Sequence, residues 1–121
     1  MPQKSQSEII RACYGAFISK DRKVVEDSLA DDFIFTSPYD DAIGKAAYFE
    51  RCWPNNELFE SLDIERIFEN GSEAFVLYRV VTKDGKAFRN TEFLTFDGGK
   101  IARVNVYFGP AYRDGAFVRE Q

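Results

Sequence analysis

Glu92 lies in the run Phe88 to Phe96, where Phe88, Asn90, Glu92, Leu94 and Phe96 alternate onto one face. If that face points inward, the carboxyl stands among rings and aliphatic groups. Partial loss of water then raises its pKa, and the acid can donate a hydrogen bond or a proton. The other readings of Glu92 are pairing with Arg79 or Arg89, or exposure near a strand end. Tyr14 falls on the apolar stripe Ile9, Ile10, Cys13, Tyr14, Phe17, Ile18, at helical spacing. It is either a core residue or a phenol aimed into a pocket. Two acid pairs complete the set. Asp31-Asp32 reads as a solvated junction. Asp40-Asp41 lies on a loop that could rim a pocket, which makes Asp40 or Asp41 a candidate base.

The chain has no histidine. Ser-His-Asp and Cys-His catalysis and the common histidine metal sites are thereby excluded. Paired-cysteine zinc spacing, a phosphate-binding glycine loop and a dinucleotide fingerprint are also missing. Proton transfer, if any, must rest on Asp, Glu, Tyr, Lys or ordered water. The expectation is no metal and no cofactor. Cys13 and Cys52 fall inside apparent helices and read as small buried residues rather than a disulfide.

The elements that must position these groups are legible. Ser5-Gln6-Ser7-Glu8 is a capping box, which starts a helix running to about Lys20. Asp21 caps a short helix carrying Val24, Val25 and Leu29, ended by Asp31-Asp32. Phe33 to Ser37 reads as a strand with Phe33, Phe35 and Ser37 on one face, stopped by Pro38. Gly44 opens a third helix, Lys45 to Trp53, closed by Pro54. Four strands follow: Leu62 to Phe68, Glu73 to Thr82, Phe88 to Phe96 and Ile101 to Phe108. Asn70-Gly71, Asp84-Gly85 and Asp97-Gly98-Gly99 join them as hairpin turns. On the last strand Ala102, Val104, Val106 and Phe108 form the apolar face. Gly109 to Gln121 is a tail without a clear assignment. Helices segregated from an antiparallel meander indicate α+β.

A chain of 121 residues with 45% hydrophobic content suits one domain spanning 1–121. Aromatic content of 16%, twelve Phe among it, supplies large side chains to line a core or a cavity. A net charge of −4 without a basic cluster excludes the usual nucleic-acid binder. No apolar run is long enough to span a membrane, and the polar start Met1 to Glu8 does not resemble a signal peptide. The expectation is a cytoplasmic protein.

From Ser5 to Gly109 the chain resembles the nuclear transport factor 2-like superfamily, which includes ketosteroid isomerase and the SnoaL-like polyketide cyclases. The resemblance rests on the helix ending in Lys20-Asp21, on Leu29-Ala30-Asp31-Asp32-Phe33, on Ser37-Pro38, on Gly44-Lys45, and on Phe96-Asp97-Gly98-Gly99-Lys100-Ile101 leading into Val106-Tyr107-Phe108-Gly109. It implies a cone-shaped α+β barrel. In it, a curved antiparallel sheet is wrapped by about three helices around a deep pocket, commonly in a homodimer formed through the sheet. Transferred residue by residue, the oxyanion-hole Tyr of the isomerase falls at Tyr14 and its acid at Glu92. The base position falls at Ser37, which cannot replace a carboxylate near neutral pH. The resemblance thus implies catalytic roles for Tyr14 and Glu92 as an electrophilic pair and removes the base, leaving Asp40, Asp41 or water to move a proton. It implies a ligand site lined by Phe17, Phe33, Phe35, Ser37, Trp53, Phe88, Asn90, Val106 and Phe108. Three readings stay open: a cofactor-independent enzyme on a small apolar oxygenated compound, a non-catalytic binder of such a ligand, and an interaction module with a filled core.

Overall fold

Capping and alternation produce the elements in a computed structural model that describes residues 4–119. Helix α1 (Gln6–Ser19) starts at the capping box: Ser5 Oγ accepts the Glu8 N–H and Glu8 Oε1 accepts the Ser5 N–H, both at 3.1 Å. It ends at Lys20 in the left-handed conformation, and Asp21 then caps α2 (Arg22–Ser28). Strands β1 (Leu29–Thr36) and β2 (Ile43–Gly44) precede α3 (Lys45–Arg51), and a 3-10 segment covers Trp53–Leu58. The meander is β3 (Phe59–Asn70), β4 (Glu73–Thr82), β5 (Lys86–Asp97) and β6 (Lys100–Arg113), with a short β7 (Ala116–Val118) folding back on β6. The tail thus extends the sheet as far as Val118. Its last two residues, Glu120 and Gln121, lie outside the described residues.

The sheet order is β2-β1-β6-β5-β4-β3. β3 to β6 pair antiparallel, as the turn signals require, whereas β1 lies parallel to β6. The sheet is therefore mixed rather than wholly antiparallel. It curves without closing, because β2 and β3 stand at its two ends. The apolar sides of α1, α2 and α3 cover one face. Ile10, Cys13, Val25 and Phe49 pack there with Val76, Val80, Leu94 and Ile101 in one core. Phe33 is buried in it, and transfer from water alone contributes about 2 kcal/mol for such a side chain.

Three local expectations are corrected. Leu29 begins β1 instead of ending α2, because its backbone is extended and it pairs with Ile101 of β6. The β1–β6 register shifts between Leu29 and Ile34, which lets both Asp31 and Asp32 face solvent within the strand. Helix α3 stops at Arg51, two residues short of Trp53, where Pro54 starts the tighter 3-10 turn. On β6, Ile101 rather than Ala102 is buried. Phe96 pairs with Ile101 and Thr95 with Arg103, so Ala102 is the extra residue of a bulge.

Candidate functional site

Between the covered face of the sheet and the helices lies a cavity of about 440 Å³, walled mainly by aromatic and aliphatic side chains. Strand alternation turns Phe88, Asn90, Glu92 and Leu94 of β5 into it. Directly across the ladder from Glu92 stand Val76 on β4 and Val106 on β6, so neither neighbour offers a polar group. The partners come from elsewhere. Tyr14 on α1 donates its hydroxyl to Glu92 Oε1, and Tyr78 on β4 donates to Oε2. Tyr78 is diagonal to Glu92 and directly opposite Asn90. The Asn90 amide donates to the Tyr78 hydroxyl oxygen at 3.2 Å, and Asn90 Oδ1 accepts the Gly109 N–H at 3.4 Å. The two phenols meet edge to face, with ring centroids 5.7 Å apart.

Glu92 lies deep in the chain yet keeps part of its surface open to the cavity. Burial raises its pKa above the ordinary carboxylate value, and the two phenol hydrogen bonds only partly oppose that rise. Burial, followed by the nearby Glu92 charge, holds the Tyr14 and Tyr78 phenols well above their usual range. Burial likewise raises Tyr48 and pushes the Cys13 thiol up to about 12. Burial thus favours the protonated form of all three groups, the Glu92 carboxyl included.

That shift links to stability. Below the ordinary carboxylate pKa both folded and unfolded chains hold the proton, and Glu92 contributes no pH dependence. Above it the unfolded chain releases its proton first, so stability falls as the pH climbs toward the folded pKa. Carboxylates with lowered pKa, such as Glu65 beside Arg89, act with the opposite sign. Subtracting the Glu92→Gln profile from the native one isolates Glu92. Denaturant melts at a series of pH values should show Glu92→Gln gaining on the native chain from mildly acidic to neutral pH. A flat difference would mean that the carboxyl is not desolvated.

The sequence-selected residues divide clearly. Phe17, Phe33, Phe35, Ser37, Phe88, Asn90, Val106 and Phe108 line the cavity with Tyr14 and Glu92. Trp53 does not. It stands behind Phe17, edge-on at 5.5 Å, and packs against Phe49 at 5.7 Å, because the chain leaves α3 before reaching it. Asp40 sits at the rim, buried, with Arg51 Nη2 at 2.6 Å from one oxygen and the Cys52 thiol at 3.7 Å from the other. Burial and the Asp40 charge push that thiol up to about 12. The Asp40 carboxylate is thus engaged by a guanidinium, while Asp41 is exposed. Arg89, an alternative partner for Glu92, instead holds Glu65 through contacts of 2.7 and 3.0 Å. Cys13 and Cys52 are both free and buried. The residue that sequence reasoning missed is Tyr78. The alternation Ala74, Val76, Tyr78, Val80 marks it as inward-facing. Among the described residues no group of three His, Cys, Asp or Glu side chains could hold a metal ion, and no helix is long and apolar enough to cross a membrane.

Comparison with known proteins yields a consistent picture. The model of the SnoaL-like domain matches residues 10–104. No curated protein matches the chain. Among solved structures, it is similar to a candidate polyketide cyclase from Pseudomonas putida KT2440, with 26% identity, 88% of this chain and 92% of that chain covered, and a TM-score of 0.74. An NTF2-like protein of unknown function from Cytophaga hutchinsonii has the same coverage and TM-score at 18% identity. A hypothetical protein with a ketosteroid isomerase-like fold from Catenulispora acidiphila, in complex with trimethylamine, gives a TM-score of 0.69 at 14% identity, with 87% of this chain and 88% of that chain covered.

Proposed function

The chain belongs to the SnoaL-like domain family, and on that premise we propose that its cavity takes up a small, largely apolar, oxygenated molecule and that Glu92 exchanges a proton with it. The observation that carries this reading is the Tyr14–Glu92–Tyr78 cluster at a cavity open to a ligand. A desolvated carboxyl with a raised pKa is both a better base and a more available acid at neutral pH than an exposed one. Two phenols fix its orientation, and Asn90 fixes one of the phenols. The reaction class is cofactor-independent isomerisation, dehydration, cyclisation or hydrolysis.

One observation favours a second reading, a binder without chemistry. Ser37 occupies the usual base position, and Asp40 is clamped by Arg51. The filled-core interaction module is disfavoured by a cavity of about 440 Å³, a size that suits a ligand site.

We also propose a homodimer formed through the outer face of the sheet. Phe75 and Phe93 pack there with ring centroids 4.8 Å apart, and Phe68, Phe75 and Tyr107 remain exposed. Native mass spectrometry of gently purified protein tests both proposals. The expected result is a dimer mass, which Phe75→Asp returns to monomer, carrying a reproducible small-molecule mass. A ligand that emerges altered after incubation supports the enzyme, and one that emerges unchanged supports the binder. A bare monomer would count against the dimer and against tight binding together.

A further inference from the structure

The hydrogen-bond inventory at the cavity floor restricts what can bind there. Both phenol protons are committed to Glu92, one to each oxygen, and an Asn90 N–H is committed to Tyr78. An ionised carboxylate has about four lone-pair sites, so some stay unused after these two bonds, and Glu92 and Tyr14 both line the cavity. While Glu92 is ionised, Tyr14 and Glu92 present only acceptors. A carbonyl or a carboxylate arriving there finds no donor in this pair.

Charge points the same way. What acts on Glu92 is burial and the two phenols, and no Lys or Arg is among those influences. Two cations line the cavity: Arg51 is paired with Asp40 at 2.6 Å, and Lys86 stands at the start of β5, six residues along the strand from Glu92. A buried carboxylate without a countercharge is costly, and a cation placed beside it removes that cost. The walls are rings, including Tyr14, Phe33, Phe35, Tyr48 and Phe88, which attract cations through their π faces.

Building on the cavity as a ligand site, we infer that the molecule it takes up carries a cationic nitrogen at its buried end, an alkylammonium on a small apolar body. The ammonium donates to Glu92 or lies against it, and the apolar body fills the space between the rings.

Three probes with one frame and different heads test this at neutral pH: benzylammonium, benzyl alcohol and benzoate. NMR titration reads their affinities and the residues that respond. Benzylammonium should bind about tenfold more tightly than benzyl alcohol. Benzoate should bind weakest, and shifts should centre on Tyr14, Tyr78 and Glu92. Glu92→Gln should level the first two. The ranking on the native chain needs no variant, so it decides the matter even if Glu92→Gln fails to fold. Equal or better binding of benzyl alcohol or benzoate overturns the cationic assignment and leaves the cavity as a ligand site. A folded Glu92→Gln chain that keeps the ammonium preference also overturns it. Failure of all three to perturb cavity resonances overturns the cavity reading and this inference with it.

Discussion

Glu92→Gln should reduce turnover of the cavity's substrate by about 10²–10⁴-fold while leaving its affinity for a neutral substrate within about threefold of native. The substitution keeps the shape of the side chain and one acceptor oxygen, so Tyr14 or Tyr78 retains a partner. What it removes is the proton site. A group that only binds would lose affinity, whereas a group that moves a proton loses kcat. Tyr14→Phe separates the two roles further. It deletes a hydrogen bond that lowers the Glu92 pKa, so the acidic limb of the kcat profile should move to higher pH. Tyr78→Phe should do the same, since its hydroxyl acts on the second oxygen. The assay begins with the molecule released in native mass spectrometry, converted under single-turnover conditions. Full turnover by Glu92→Gln would remove Glu92 from the chemistry and leave the binder as the better reading.

Glu92 and Tyr14 were legible because each is set by a local period: two along β5 and helical along α1. That they meet through a hydrogen bond was not legible from either period. It requires α1 to lie over β5 at one particular depth. Tyr78 shows the limit clearly. Its inward direction follows from alternation in β4, but its contact with Glu92 depends on the register that sets Val76 opposite Glu92 and Tyr78 opposite Asn90. Asp40 had no periodic signal at all. Its partner arrives from the end of α3, and the loop is closed by the paired backbone bonds between Ser37 and Asp40, 2.8 and 3.2 Å long. Trp53 was misplaced for an equally specific reason. The helix ends at Arg51, and the indole packs behind Phe17 rather than in the cavity lining. The parallel β1–β6 pair is the corresponding limit for the fold. Turn signals report neighbours joined by hairpins, and no hairpin joins β1 to β6, which lie about seventy residues apart along the chain.

Gly109→Ala should cost about 3 kcal/mol of stability, although the residue sits on a strand and outside any tight turn. A Cβ built at Gly109 meets the Arg89 carbonyl oxygen at 2.2 Å, which is backbone and cannot swing aside. The close approach follows from an irregular register. Phe88 pairs with Ala111 and Asn90 with Phe108, so Arg89 faces an extra residue and the strands pinch there. The same pinch aims the Gly109 N–H at Asn90, which holds Tyr78, which holds Glu92. Gly15 supplies the opposite case. It lies within α1, where an added Cβ meets nothing within 4 Å. Gly15→Ala should therefore gain about 1 kcal/mol from helix propensity. Urea unfolding reads both, with the midpoint moving down for Gly109→Ala and up for Gly15→Ala at unchanged slope. Because the Gly109 strain lies one hydrogen bond from the cluster, Gly109→Ala should also weaken ligand binding, and Gly15→Ala should not. A Gly109→Ala chain as stable as the native one would mean that β5 and β6 can part at this point. The bulge would then not be what holds Asn90 in line with Tyr78.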